Sequence, residues 1–228
     1  MSVGLFAYPK QAAFGRNLPK TKIYEHTQLT KTMRNKFVSQ IEKIVWQYKL
    51  APETINLPSK KSAPEIEVFT ITLKTRDVRT EVLRAIDNAI PFPIIYELIF
   101  DGRIKVAAAF KRPSESDSLK WVTDIYFESD WQKIDARRKP LPVALDVAGL
   151  YEQILRELMP VQQRPGENIA EQVQRVGVIQ GKRIEAAKVE ARLRKEKQFN
   201  RKVEINAQLR SLKKEIEVLS KPRVAAIR

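Results

Sequence analysis

The sequence has no cysteine, a single histidine and only seven glycines in 228 residues. Without cysteine there is no disulfide, no thiolate nucleophile and no cysteine-ligated zinc or iron–sulfur site; this fits a reducing compartment. A Ser–His pair or a two-histidine zinc site would have to rely on His26 alone, and a surface or packing role suits that residue better. The glycines fall into no phosphate-binding or nucleophile pattern: G-x-x-x-x-G-K-[ST], G-x-G-x-x-G and G-x-S-x-G are all missing. No apolar run approaches the ~18 residues of a membrane span. The opening "MSVGLFAYPKQAAFG" carries no long apolar stretch of the signal-peptide kind. The expected location is therefore cytoplasmic, with no membrane partner and no cofactor.

Hydrophobic residues make up 43% of the chain, enough for a folded core. The net charge of +15 is spread unevenly. Residues 1–61 hold 11 Lys/Arg against 3 Asp/Glu, residues 62–163 hold 14 against 16, and residues 164–228 hold 17 against 8. Two basic ends around a near-neutral middle suit surfaces that meet an acidic partner, of which nucleic acid is the commonest. The plainer reading is well-solvated lysine-rich helices.

Periodicity predicts an α+β fold: a largely antiparallel sheet with flanking helices, followed by a C-terminal, coiled-coil-like helical extension. Residues 1–29 read as an aromatic-bearing arm packed on the core, 30–160 as the core, 167–221 as the extension and 222–228 as a basic tail. Thr30 reads as the cap of a helix running to Leu50, with Met33, Phe37, Ile41, Ile44 and Tyr48 on one face. Residues 54–57 read as extended, 65–74 as a strand, and 77–90 as a helix capped by Asp77. Strands at 94–100 and 103–110 flank Asp101–Gly102, a hairpin signal. A further strand at 120–129 and a helix at 146–158 capped by Asp146 complete the core. In the extension, Gly177 and Gly181 argue for two helical segments rather than one.

The stretch "EKQFNRKVEINAQLRSLKKEIEVL" places Ile205, Leu209, Leu212, Ile216 and Leu219 on one helix face. That stripe is too short to stand alone in water. It has three candidate neighbours: the preceding helical segment, a protein partner that takes it in a groove, or a second copy of the chain. Arg201, Lys202, Lys213 and Lys214 lie on the same helix's polar sides and suit phosphate contact, as do Arg137, Arg138 and Lys139 in "ARRKP", which reads as a loop. No catalytic constellation stands out. One enzyme class needs neither His nor Cys: PD-(D/E)xK-like nucleases, where carboxylates hold Mg²⁺ and a lysine supports the attacking water. Glu67, Lys74, Asp101 and Lys105 are the residues such a site would use, yet the spacing fails the motif, and Glu67 and Lys74 fall on opposite faces of a strand. Metal ligands are otherwise not expected.

Several segments, "FAYPK", "KLAPETINLP", "EIEVFTITLK", "AIDNAIPFPIIYELIF", "ALDVAGLYEQILREL" and the extension stretch, resemble a bacterial family known as a domain of unknown function, over nearly the whole chain. The resemblance implies a companion of superfamily-2 or SNF2-like helicases and DNA methyltransferases in restriction-like, anti-phage defence clusters. It implies no active-site residues. Combined with the charge pattern, it favours a non-enzymatic accessory subunit that docks on a helicase or methyltransferase and touches nucleic acid through its basic ends. The metal-dependent nuclease and a self-associating, homodimeric DNA binder are the alternatives.

Overall fold

A computed structural model describes residues 4–114, 116–117 and 120–222. Of the expected basic tail, residues 223–228 lie outside the described residues. The chain divides into two units, residues 1–158 and 159–228.

The first unit is built on a seven-stranded sheet. Its strands are β2 (Ala13–Asn17), β3 (Ile41–Leu50), β4 (Ile66–Leu73), β5 (Ile94–Phe100), β6 (Arg103–Pro113) and β7 (Trp121–Glu128), hydrogen-bonded in that order, with β8 (Gln132–Lys133) also on β6. Every neighbouring pair is antiparallel except β4 and β5. That parallel pair needs a crossover, and α4 (Thr80–Ala89) supplies it. The fold is thus α+β with a mostly antiparallel sheet. A separate small parallel pair joins β1 (Phe6–Ala7) to β9 (Lys139–Pro140).

One face of the sheet is covered by α1 (Lys20–His26), α2 (Lys31–Gln40) and α4. Ile23, Phe37, Val82, Leu83 and Ile86 from these helices meet Ile44, Phe69, Ile71, Tyr96 and Leu98 from the strands. α5 (Val147–Leu158) packs along β6. Thr30 and Asp146 cap as expected: the Thr30 hydroxyl accepts from Met33 N at 3.2 Å, and Asp146 Oδ1 accepts from Gly149 N at 2.8 Å. Asp77 does not cap α4; Arg79 occupies that position without a side-chain bond.

Two expectations fail, at residues 41–50 and at residues 52–55. The helix begun at Thr30 ends at Gln40, and residues 41–50 are strand β3. Two bulges, between Ile41 and Lys43 and between Trp46 and Tyr48, each shift the alternation by one residue. They turn a period of two into spacings that mimic a helix face. The N-terminal segment packs on the core as expected and goes further, since β2 extends the main sheet and Ile23 of α1 sits in the core. Residues 52–55 form a short helix, α3 (Pro52–Ile55), rather than an extended piece.

The second unit is a helical hairpin of α6 (Ile169–Lys195) and α7 (Phe199–Ser220). There are two segments, but the break falls at Glu196–Gln198, and α6 runs unbroken through Gly177 and Gly181. A capping box secures its start: Asn168 Oδ1 accepts from Glu171 N, and Glu171 returns a carboxylate to Asn168 N, each at 2.9 Å.

The Asp101–Gly102 turn has φ of +48° and +66°, the signature of a primed two-residue hairpin. A β-carbon at Gly102 would meet nothing within 4 Å, so Gly102→Val should act through backbone strain alone, lowering stability by about 1–2 kcal/mol. All three tryptophans lie in the first unit, so the urea midpoint by tryptophan fluorescence reads this cost. Gly181 also stands in open space, but in an ordinary helical conformation, so Gly181→Ala should stabilise the hairpin by about 1 kcal/mol, measured by circular dichroism.

Candidate functional site

The hairpin's two helices meet through a small seam. Ile205, Leu209 and Leu212 of α7 are buried against Ala186 and Val189 of α6, with Leu193 and Ile216 half-buried beside them. Of the stripe's three candidate neighbours, the preceding helical segment, α6 of the same chain, is the one that covers it. Leu219, its last member, lies half-buried beyond the seam, and its carbonyl is used instead. That oxygen accepts from Arg175 Nη1 at 2.9 Å and Arg164 Nη2 at 3.1 Å. Arg175 also holds Glu167 at 2.6 Å, with both side chains over 90% buried. Two guanidinium groups thus satisfy the carbonyl end of α7, where the helix dipole is negative.

The other end of the hairpin is free of such pairing and strongly basic. Upstream of Ile205 the seam would continue through Lys202, Gln198 and Lys195, which are polar. The apolar stripe stops there, and the tip opens to solvent. Arg192, Arg194, Lys195, Lys197, Arg201 and Lys202 are all exposed around it. Glu196, in the turn itself, folds onto the backbone and accepts from Lys197 N at 2.8 Å and Gln198 N at 2.9 Å. Those bonds, with help from Arg201 and Lys202, hold Glu196 below the usual carboxylate range. Phe199, the first residue of α7, is 78% exposed in the middle of these cations. Lys213 and Lys214 are exposed farther along the helix, about three turns away.

The cluster at 137–139 lies in a loop as expected, apart from Lys139 on β9, but two of its cations are already engaged. Arg138 reaches under the sheet and donates to Glu97, with Nη2–Oε2 at 2.9 Å, and to the Phe6 carbonyl at 2.9 Å. Glu97 is buried on β5, and this bidentate pair is its charge partner. Lys139 lies on β9, ion-paired with Glu157 and over the Phe6 ring. Both side chains are thus already ion-paired within the fold. Arg137 is exposed at the same turn.

The four residues weighed for a nuclease do not converge. Glu67 and Lys74 sit at opposite ends of β4, and Lys74 Nζ donates to the Val38 carbonyl at 2.8 Å. Asp101 forms the hairpin turn. Lys105 is paired with Glu128 at 2.5 Å and lies over Trp131. Among the described residues no group of three or more His, Asp or Glu side chains is placed to hold a metal ion.

Two polar centres escaped the sequence reading. Lys111 and Asp87 form a buried pair at 3.3 Å beneath α4. Tyr96 donates to Asp87 Oδ2 at 2.9 Å, and Tyr126 bonds the same oxygen. Burial pushes the Asp87 carboxyl up and the Lys111 ammonium down, each opposed by the other's charge. Glu67 is the second. It is 1% exposed, and the Glu65 carboxyl and the Trp46 indole stand beside its carboxyl group, outside ideal hydrogen-bond geometry. Burial, reinforced by hydrogen bonding to and charge repulsion from the neighbouring Glu65 carboxylate and opposed by Trp46 and Lys49, pushes its pKa up to about 9, so it is neutral at physiological pH. A short-range pattern gives no warning of either centre, because "EIEVF" reads as an ordinary half-exposed strand.

The sequence matches the family described as a domain of unknown function, DUF4391, over residues 6–216, and the chain belongs to that family. No curated protein and no solved structure matches it.

Glu67 makes stability depend on pH with a definite sign. Its folded pKa, about 9, lies above the unfolded value of about 4.3, so the folded state binds the extra proton between them. Stability is fully present below the unfolded value and declines as pH rises toward about 9. Compared with Glu67→Gln, the parent should lose on the order of a few kcal/mol across this window and run parallel outside it. Paired urea melts from pH 4 to 10 measure the difference; parallel curves throughout would mean that Glu67 stays ionised.

Proposed function

We propose that this protein is a non-enzymatic accessory subunit of a DNA-acting bacterial defence complex, and that it contacts nucleic acid through the tip of its helical hairpin. The observation that carries the reading is six exposed cations gathered around the exposed Phe199. Lysine and arginine neutralise backbone phosphates without regard to sequence. An aromatic ring among them offers a stacking platform for an unpaired base. The reading thus moves the contact from both basic ends of the chain to one defined place. The companion, a helicase or DNA methyltransferase, is the partner that the resemblance of the quoted segments implies. Since α6 covers the α7 stripe, docking falls to other apolar surface. Val143 and Leu145, 91% and 89% exposed on the loop before α5, are the foremost candidates.

Binding to a random-sequence duplex tests the tip. If all six cations meet phosphate, log affinity should fall against log salt with a slope near −5. Changing Arg194, Lys195, Lys197 and Arg201 to Gln should reduce that slope by roughly 3–4. Phe199→Ala should weaken single-strand binding by about tenfold and leave duplex binding nearly unchanged. Salt-insensitive binding, or a slope unmoved by the four changes, would remove the tip from the reading. Co-purification of a helicase or methyltransferase from the native host, lost on Val143→Asp with Leu145→Asp, is the expected outcome for the docking surface.

A further inference from the structure

At the carboxyl ends of the parallel strands β4 and β5, the position where α/β sheets hold their ligands, the first unit has a pocket of about 280 Å³. It is lined by Arg76 from the loop after β4, Phe100 at the end of β5, Asp101 of the hairpin turn, Arg103 at the start of β6, and Trp131 just before β8. Register explains why these residues meet. Phe100 pairs with Arg103, and Arg103 with Lys133, so these three side chains stand in one row on one face of the sheet. Trp131 lies one row back, with the Lys105 ammonium 5.3 Å from its ring centre.

Arg76, Arg103 and Lys133 are exposed, and none of them makes an ion pair with a described residue. That sets them apart from Lys105 and Arg138 on the same sheet, which Glu128 and Glu97 hold. Two guanidinium groups lining one small pocket favour an anion between them, and their planar forks suit the oxygens of a phosphate. Phe100 and Trp131, both half-buried, add ring surface at the same place. Asp101 is exposed and likewise unpaired. A carboxylate accepts hydrogen bonds and donates none, so it turns a phosphate away and takes N–H groups. Together these side chains describe a ligand that is anionic at one end and planar, with N–H donors, at the other.

We propose that this pocket binds a nucleoside 5′-phosphate, with the phosphate between Arg76 and Arg103 and the base against Phe100 and Trp131. Of the common bases guanine suits Asp101 best, because its N1–H and N2–H₂ are adjacent donors that a carboxylate takes together. Adenine and cytosine place a ring acceptor beside their amino group, and uracil flanks its one N–H with carbonyls. Each of those edges sets a lone pair against the carboxylate. Lys133, at the end of the same row, adds a third positive charge for a doubly charged phosphate.

The pocket shares no residue with the hairpin tip and does not rest on the reading of that tip. Calorimetry on the full chain with guanosine 5′-monophosphate tests it, with tryptophan fluorescence as a second readout. The guanosine form should bind at pH 7, and the adenosine, cytidine and uridine monophosphates should bind at least about tenfold more weakly. Guanosine without its phosphate should lose at least about tenfold, and so should phenyl phosphate, which has the anion and a ring but no N–H. Arg76→Gln with Arg103→Gln should abolish binding, while the tip variant with Arg194, Lys195, Lys197 and Arg201 changed to Gln should bind as the parent does. Asp101→Asn keeps the primed turn, since Asn–Gly is a preferred pair there, yet should erase the preference for guanine. All these side chains are exposed, so each variant should keep the parent's urea midpoint. A strand end is told from a free nucleotide by a 5′-phosphorylated oligonucleotide beginning with deoxyguanosine, titrated into the tip variant: tighter binding than the monophosphate marks the strand end, equal or weaker binding the free nucleotide. If guanosine monophosphate does not bind, if phenyl phosphate or the uridine form binds as well, or if the double arginine variant or Asp101→Asn behaves as the parent does, the proposal is overturned.

Discussion

An ammonium group with no access to water fixes the position of α4. Lys111 leaves β6 at a bulge, runs beneath the helix and donates to the Asp87 carbonyl at 2.6 Å, to the Asp87 carboxylate and to the Ile90 carbonyl. It thereby ends the helix as a capping group would, satisfying carbonyls that α4 leaves open. Asp87 in turn collects the hydroxyls of Tyr96 on β5 and Tyr126 on β7. Three strands and one helix therefore share one buried set of charges and hydroxyls. Such a pair adds little net stability, because desolvation offsets the attraction, but removing one member strands the other and costs about 3–5 kcal/mol. Its effect is geometric: α4 has one seat on the sheet. Because Ala89, Ile90, Pro91 and Phe92 follow directly, the wall they give to a cavity beside Glu67 inherits that fixed position.

The two units spend their cations differently. In the first, four that look available in the sequence are consumed: Arg138 by Glu97, Lys139 by Glu157, Lys105 by Glu128 and Lys111 by Asp87. In the hairpin, Arg164 and Arg175 are used at the base, while the tip cations project into solvent. A local count of charge therefore says little about where a polyanion would bind. What decides is whether a carboxylate approaches from elsewhere in the fold, and at the tip Glu196 is turned onto its own backbone.

What could be read from the sequence were the features set by neighbours within a few residues. The Asp101–Gly102 turn, the Thr30 and Asp146 caps and strands β4 to β7 are of this kind, because φ preference and side-chain-to-backbone bonds act locally. Strand β3 carries a helix-like spacing because its two bulges are fixed by pairing with β4, which no local pattern reveals. The glycines in α6 do not break it, since a capping box at one end and packing against α7 offset a propensity cost of about 1 kcal/mol each. Of the candidate site, the exposed cations of α7 and the apolar seam were visible as a helical period. The occupant of the seam, the pairing of Arg138 and the burial of Glu67 were not, because each depends on a partner or a wall many residues away.

Glu67 and Glu97 make the sharpest contrast in the molecule. They lie on adjacent parallel strands, both almost fully buried, on opposite faces of the sheet. The bulge between Trp46 and Tyr48 divides their surroundings: Tyr48 turns toward Tyr8 and the Glu97–Arg138 pair, and Trp46 turns toward Glu67. Glu97 has a bidentate guanidinium as its partner in the core. Glu67 has no such cation: Lys49, on the neighbouring strand, is paired with Glu65. Burial and the Glu65 carboxyl beside it therefore hold Glu67 in the neutral form. The same side chain, one strand apart on the two faces of one sheet, is neutralised by an arginine on one face and by a proton on the other.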